Sequence, residues 1–141
     1  MSPDILPLAL PDVSELAALW EACGLTRPWN DPASDARLAI TGPASAILGI
    51  RAGGALAASV MTGFDGHRGW VYYLAVAPPC RQRGYGRALM AAAEAWLRAR
   101  HAPKIQLMVR ADNDAALGFY AAIGYAVQPV TIIGKRLDGT A

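Results

Sequence analysis

The chain of 141 residues is 54% hydrophobic and 17% charged, which is typical of a globular protein with one core and excludes a disordered chain. We therefore expect a single domain over residues 1–141, with no signal peptide or membrane span, in the cytoplasm. The net charge of +2 is too small for a nucleic-acid-binding surface, and two histidines and two cysteines make a metal site unexpected.

The first half of the chain predicts a short edge strand, two helices and an antiparallel meander of three strands. Asp12, with Glu15 three residues later, has the spacing of a capping box at the start of the first helix. Asp31 followed by Pro32 predicts the start of the second helix. The predicted strands are residues 5–10, 46–51, 55–64 and 70–77, and the two helices are predicted to end at Gly24 and Gly42.

The second half of the chain predicts two further helices that alternate with strands. Pro78 and Pro79 end the last meander strand, because proline cannot donate to a ladder. An Ala-, Leu- and Arg-rich run then predicts a helix over residues 87–100. A strand over 105–110, a helix over 113–123 and one or two strands within 125–137 complete a mixed α/β fold, with helices on the faces of a twisted sheet.

A basic loop with two glycines lies between the last meander strand and the third helix. This order of strand, glycine loop and helix N-terminus presents free backbone amides to an anion. Glycine allows phosphate oxygens to approach those amides, and the arginines add positive charge. The glycine spacing differs from that of dinucleotide and nucleoside triphosphate sites. The candidate phosphate-binding residues are Gln82, Arg83, Gly84, Tyr85, Gly86 and Arg87.

Two motifs resemble signatures of the GNAT (Gcn5-related N-acetyltransferase) superfamily. Residues 81–86, preceded by Val76-Ala77-Pro78, resemble its pyrophosphate-binding motif, Gln/Arg-x-x-Gly-x-Gly/Ala. Asn113, with Tyr120 seven residues later and Gly-Tyr after it, is similar to the second signature. The motifs stand in the family's order, as do the predicted helices and strands. Residues 27–32, 63–69 and 134–137 are similar to the small bacterial YpeA-type branch.

The resemblance implies the GNAT acyl-CoA N-acyltransferase fold, which has a mostly antiparallel twisted sheet, a splayed pair of fourth and fifth strands and about four helices. It implies that the loop holds the diphosphate of acetyl-CoA and that the strand pairs its backbone with pantetheine through Leu74, Ala75 and Val76. The Val76 N–H would polarise the thioester carbonyl, and Tyr120 would protonate the departing thiolate. Asn113 would bond the pantetheine arm, although it also suits a helix cap, and Tyr120 also suits a core position.

Neither the general base nor the acceptor follows from the sequence. Some relatives have a glutamate where this chain has Met108, so the remaining candidate bases are Asp31, Asp65, His67, Tyr72 and Tyr73. His67 alone has a suitable unperturbed pKa, but an ordinary turn histidine is an equal interpretation. The loop over residues 27–32 suits either recognition of a small polar acceptor or an Asx turn anchored by a tryptophan. The candidate acceptor-binding residues are Arg27, Trp29, Asn30, Asp31, His67 and Tyr72.

The residues and the resemblance together indicate an acetyl-CoA-dependent N-acetyltransferase that needs no metal. We expect direct transfer to a primary amine in a ternary complex, because no Cys-His pair indicates a covalent acyl-enzyme. The alternative is a non-catalytic acyl-CoA-binding or sensor module with the same fold. A small molecule or a peptide could supply the amine, and the low charged fraction leaves room for a homodimer interface.

Overall fold

The computed structural model describes residues 3–139, which form two compact units. The first unit, within Met1–Met108, contains a five-stranded sheet and three α-helices, and the second, within Val109–Ala141, contains one α-helix. The strands are β1 (Leu6–Pro7), β2 (Ser45–Ala52), β3 (Ala55–Phe64), β4 (Gly69–Val76) and β5 (Ile105–Leu107), and the helices are α1 (Val13–Ala22), α2 (Pro32–Thr41), α3 (Tyr85–Arg98) and α4 (Asp114–Ala122).

The strands of the first unit form one mixed sheet in the order β1-β2-β3-β4-β5. The first three pairs are antiparallel, and β4 and β5 are parallel because α3 provides the crossover between them. The β2–β3 turn contains Gly53 and Gly54 at φ of 60° and 82°, the left-handed geometry of a tight hairpin. The predicted mixed α/β fold and the antiparallel meander are confirmed.

The core against α1 and α2 is built from residues at helical spacing. Leu16 and Trp20 of α1 and Ala36 of α2 are fully buried, and they pack with Ile47 of β2. Trp20 Nε1 donates to the buried hydroxyl of Ser59 in β3 at 3.1 Å, which satisfies both polar groups. This packing holds α1 and α2 against the central strands of the sheet.

A second layer of core forms where α3 packs on β3 and β4. Leu89, Met90, Ala93 and Leu97 are its buried residues. Gly69 opens β4 without a side chain at this contact, because a Cβ there would lie 2.5 Å from Leu97 Cδ1. The last turn of α3 therefore packs closely against the first residue of β4.

The predicted capping box at the first helix is wrong. The Asp12 side chain accepts no hydrogen bond from an amide of α1. Instead it accepts from Ala9 N at 2.8 Å and from Arg51 at 2.7 Å, while Glu15 accepts from the same guanidinium at 2.8 Å. An ion pair with the β2–β3 hairpin thus competes for these carboxylates. The predicted cap by Asp31 is confirmed, because its Oδ1 accepts from Ser34 N at 3.2 Å.

The predicted strands near the two ends of the chain are too long or absent. β1 comprises only Leu6–Pro7 and β5 only Ile105–Leu107. Residues 125–139 contain no strand in the part of the chain that the structure describes, which overturns the prediction for 125–137. In this segment Val127 is 84% and Ile133 91% exposed. The prediction fails because β-forming residues make a strand only when another strand pairs with them.

Candidate functional site

The loop between β4 and α3 has two residues in the left-handed conformation. Gln82 has φ of 66° and Gly84 has φ of 80°. Residues that alternate between such conformations turn successive amides toward one concave side, which is the geometry of an anion-binding nest. A Cβ at Gly84 would meet no atom within 4 Å, so it is the backbone conformation that calls for glycine, and the adjacent space is open.

The backbone amides around Gly84 have no acceptor of their own in the described chain. The first amide with an acceptor inside α3 belongs to Ala88, which donates to Gly84 O at 3.0 Å. The preceding helical amides, of residues 85–87, are therefore free, as at any helix N-terminus. No backbone hydrogen bond uses the amides of residues 82–84 among the described residues. Six amides and the exposed side chains of Arg83 and Arg87 suit an anion with several oxygens, such as a diphosphate.

A β-bulge interrupts β4 just before this loop. Ser59 pairs with Ala75 and Met61 pairs with Tyr72, so Tyr73 and Leu74 together face one residue of β3. Tyr73 has φ of 53°, which costs a bulky residue about 1 to 3 kcal/mol. The extra residue of the bulge changes which backbone groups of β4 face β3 from this point on.

Beyond the bulge, one edge of β4 is open. β5 pairs with Gly69, Trp70 and Val71, and no other strand among the described residues pairs with the remainder of β4 on that side. Ala77 N donates to Ala57 O of β3 at 2.8 Å, and by strand alternation the N–H and C=O of Val76 point away from β3. The Val76 N–H is thus directed to the edge that β5 leaves open.

The Val76 carbonyl joins the strand to the loop. It accepts from Arg81 Nε at 3.1 Å and from Cys23 Sγ at 3.3 Å. Arg81 is the first residue of the motif that resembles the GNAT signature, so part of its guanidinium holds the backbone next to the open edge. The structure therefore places the first residue of the motif against the end of β4, directly before the loop over residues 82–87.

The carboxylate candidates for a general base are already hydrogen-bonded. The Asp31 carboxylate accepts from the amide and hydroxyl of Ser34, and these bonds hold its pKa below the usual value. Asp65 accepts from the amides of Arg68 and His67 and from the Trp70 indole, which lower its pKa in the same way. A carboxylate with a lowered pKa is a weak base.

The other base candidates are no better placed. Burial raises the pKa of Tyr72, and burial together with the Asp35 carboxylate raises that of Tyr73, so both phenols are protonated at neutral pH. His67 lies exposed in the turn that Asp65 organises, with its Nδ1 3.5 Å from the Arg68 guanidinium. Hydrogen bonds therefore argue against the two aspartates as the general base, and burial argues against the two tyrosines. His67 occupies the position of an ordinary turn histidine.

The loop between α1 and α2 uses most of its polar groups to hold its own shape. The Arg27 guanidinium donates to the carbonyls of Gly24 and Thr26, both at 2.9 Å, and Asn30 N donates to Arg27 O at 2.9 Å. Trp29 is different, because 54% of its surface is exposed.

A separate shallow cleft of about 320 Å³ lies on the first unit. Asp65, Trp70 and Tyr72 line it together with residues 42–45 and 63–64. Tyr72 is 41% exposed, and its ring lies 6.5 Å from that of Trp70. Of the residues predicted to contact the acceptor, the cleft includes Tyr72.

The second unit contains the remaining two candidate residues. Asn113 Oδ1 accepts from Ala116 N at 3.1 Å, which confirms the cap interpretation. The Tyr120 ring makes edge contacts with Phe119 and Tyr125, with centroids 5.0 Å and 5.8 Å away. Burial raises the pKa of Tyr120, so its hydroxyl holds its proton at neutral pH.

Among the described residues, no helix is long and apolar enough to cross a membrane. Within residues 3–139, no group of three or more His, Cys, Asp or Glu side chains is placed to hold a metal ion.

Comparison with solved structures identifies the class of fold. The structure of this chain is similar to that of an aminoglycoside N-acetyltransferase in complex with CoA, at 16% identity and a TM-score of 0.81 over 95% of this chain and 94% of that one. It is also similar to a ribosomal-protein-alanine N-acetyltransferase from Brucella melitensis biovar Abortus 2308, at 23% identity and a TM-score of 0.76 over 94% and 99%. The fold is that of the N-acetyltransferases.

Sequence comparison identifies the family. The model of the acetyltransferase (GNAT) family matches residues 14–125. An acetyltransferase of Yersinia enterocolitica is 45% identical over 126 residues, which is 89% of each chain. The chain belongs to the GNAT family and is an acetyltransferase, which confirms the resemblance seen in its two motifs.

Proposed function

We propose that the protein transfers an acetyl group from acetyl-CoA directly to a primary amine within a ternary complex. The observation that carries this proposal is the run of free amides over residues 82–87, which follows the open edge of β4 along the chain. We also propose that residues 1–141 act as one domain in the cytoplasm. The family match over residues 14–125 extends to both sides of residue 108, which supports the single domain.

The loop and the strand divide the binding of the donor between them. The amides of residues 82–87 and the Arg83 and Arg87 side chains would hold the diphosphate, and the backbone of Leu74–Val76 would bond the pantetheine arm. When bound, acetyl-CoA supplies an activated thioester. The Val76 N–H would donate to the carbonyl oxygen on which negative charge develops, a contribution made mainly in the transition state.

Tyr120 and Asn113 complete the proposed roles. Tyr120 would protonate the departing thiolate, and its partly buried phenol, whose pKa burial raises, carries the proton at neutral pH that this role requires. A thiolate leaves readily, so we expect the help from Tyr120 to be modest. Asn113 uses Oδ1 to cap α4, which leaves its Nδ2 group to donate to pantetheine.

The acceptor is proposed to be an amine of a small molecule or a peptide, with no role for nucleic acid or a membrane. Exposure favours Trp29 and Tyr72 as contacts, whereas Arg27 and Asp31 already serve the loop and the start of α2. The two solved N-acetyltransferases with this fold have names that refer to an aminoglycoside and to a ribosomal protein. The fold therefore accommodates both kinds of acceptor.

The proposal is tested by calorimetric titration with acetyl-CoA, followed by a screen of amines that measures release of the CoA thiol. We expect micromolar binding, about −8 kcal/mol, and release that depends on one class of amine. Failure to bind acetyl-CoA would refute the proposal. Tight binding with no release on any amine would favour the alternative, a sensor module, which the exposed Met108 in place of a glutamate keeps open.

A further inference from the structure

A chain of side-chain contacts links the bulge of β4 to the two helices packed beside it. The Tyr73 ring lies flat on the Trp20 ring, with centroids 3.9 Å apart and an interplanar angle of 9°. The Tyr73 hydroxyl donates to Asp35 Oδ2 of α2 at 2.8 Å. Trp20 is fully buried and donates to Ser59 on the neighbouring strand. Tyr73 is thus held from α1, α2 and, through Trp20, from β3.

The contacts oppose an unfavourable backbone conformation. With φ of 53°, Tyr73 lies in the left-handed region that bulky side chains avoid. Such a conformation persists only where the surrounding structure enforces it. Without the extra residue of the bulge, the end of β4 would shift by one position against β3. Because strand groups alternate with a period of two, the Val76 N–H would then turn from the open edge toward β3.

We propose that Tyr73 and Asp35 are positioning residues of the acetyl transfer, because they lock the β4 bulge so that the Val76 N–H faces the open edge. This inference rests on the proposed function, since the direction of that amide matters only if it polarises a thioester carbonyl. Tyr73 and Asp35 act through the backbone and need not touch either substrate. Displacing an oxyanion donor reduces the stabilisation of the transition state more than that of the bound ground state. Loosening the bulge should therefore lower kcat more than it lowers the affinity for acetyl-CoA.

Substitutions at the two residues separate the hydrogen bond from the packing. Tyr73→Phe keeps the ring on Trp20 and removes the hydroxyl. Asp35→Asn keeps an acceptor oxygen, whereas Asp35→Ala removes it. Thr41→Val is the matched control. It removes a hydroxyl from the same helix, α2, but this hydroxyl donates to Arg37 O of α2 at 2.7 Å and not to β4.

For Tyr73→Phe and Asp35→Ala we expect kcat to fall roughly ten-fold, less than the loss of a whole oxyanion donor, with acetyl-CoA Kd changed by less than about two-fold. Asp35→Asn should stay closer to the parent protein. Combining Tyr73→Phe with Asp35→Ala should be no slower than the slower single variant, because both remove one shared interaction. Thr41→Val should leave kcat unchanged. An equal loss in kcat and affinity, or fully additive losses, would overturn the inference.

Backbone amide hydrogen exchange over residues 71–77 gives a readout that needs no turnover. In Tyr73→Phe, we expect this segment to exchange faster than in the parent protein and in Thr41→Val. Unchanged exchange would overturn the inference whatever the kinetics. If the parent protein acetylates no amine, the proposed function fails, and the exchange comparison alone decides whether Tyr73 holds the bulge.

Discussion

Position 84 allows a test of the diphosphate site by a single charge. Gly84 has φ of 80°, and its missing Cβ would point into open space beside the free amides. Asparagine and aspartate are the residues other than glycine that best tolerate this conformation. Gly84→Asn and Gly84→Asp therefore introduce side chains of nearly the same shape that differ by one negative charge.

The expected effect of that charge follows from Coulomb's law. A carboxylate about 5 Å from a diphosphate with about two negative charges is repelled by roughly 1.7 kcal/mol at the dielectric constant of water. A lower effective dielectric constant at the protein surface would increase this value. We therefore expect Gly84→Asp to bind acetyl-CoA at least about ten-fold more weakly than Gly84→Asn at low ionic strength. The difference should shrink in high salt, because screening acts on exposed charges.

Calorimetric titration of both variants with acetyl-CoA, at low and at high ionic strength, measures this difference. Thermal unfolding of the free proteins provides the control, since both side chains impose a similar backbone cost at position 84 and should lower Tm alike. Equal affinity of the two folded variants at low ionic strength would show that no diphosphate lies near Gly84. That result would refute the assignment of residues 82–87.

Three further predictions address stability and proton transfer. Arg51→Met should lower Tm at neutral pH, and the Tm difference from the parent should narrow as pH falls below the ordinary pKa values of its two carboxylate partners, 3.8 for Asp12 and 4.5 for Glu15. The Ala9 amide and then the Arg51 guanidinium lower the folded pKa of Asp12, and the guanidinium lowers that of Glu15. Thermal melts across this pH range measure the Tm difference, and a difference that stays constant would contradict the prediction. Gly69→Ala should lower the free energy of unfolding by about 1 to 3 kcal/mol, because its Cβ would lie 2.5 Å from the Leu97 side chain. Gly63→Ala, whose Cβ would lie 3.4 Å from its nearest neighbour, should lower it far less. Denaturant unfolding measures both values, and similar losses would contradict the packing. Tyr120→Phe should lower kcat by about ten-fold with little change in acetyl-CoA Kd, and an unchanged kcat in steady-state assays would exclude Tyr120 as the acid.

Features of the fold with a local physical signal were predictable from the sequence. Asp31 and Pro32 begin α2 because the cap and the first helical position lie within one turn of each other. The Gly53-Gly54 pair places the β2–β3 hairpin because two left-handed residues match the twist of the flanking strands. The loop before α3 was predictable for the same reason, since its glycines and arginines are adjacent in the chain.

Features whose decisive partner is distant along the chain were not predictable in this way. The capping box predicted at Asp12 does not form, because Asp12 and Glu15 accept hydrogen bonds from Arg51, which lies 39 residues from Asp12. The contact between Tyr73 and Asp35 spans 38 residues, and no periodicity indicated either the bulge or its anchor. The β-branched residues within 125–137 form no strand among the described residues, because a sequence pattern does not show whether a partner strand is available.

The proposed donor site depends on backbone groups, and side chains act on it by setting the backbone's conformation. Gly84 permits the left-handed turn that exposes the loop amides, Tyr73 holds the bulge, and Arg81 bonds the carbonyl of Val76. Apart from substitution by proline, a change of side chain leaves the backbone amide in place, so mutations elsewhere preserve these donors as long as the backbone conformations survive. Trp29, which we propose as an acceptor contact, is instead an exposed side chain. In this proposal the donor site follows from motifs that are local in the chain, whereas the acceptor depends on exposed side chains, so the acceptor is the part of the function that this chain's motifs leave open.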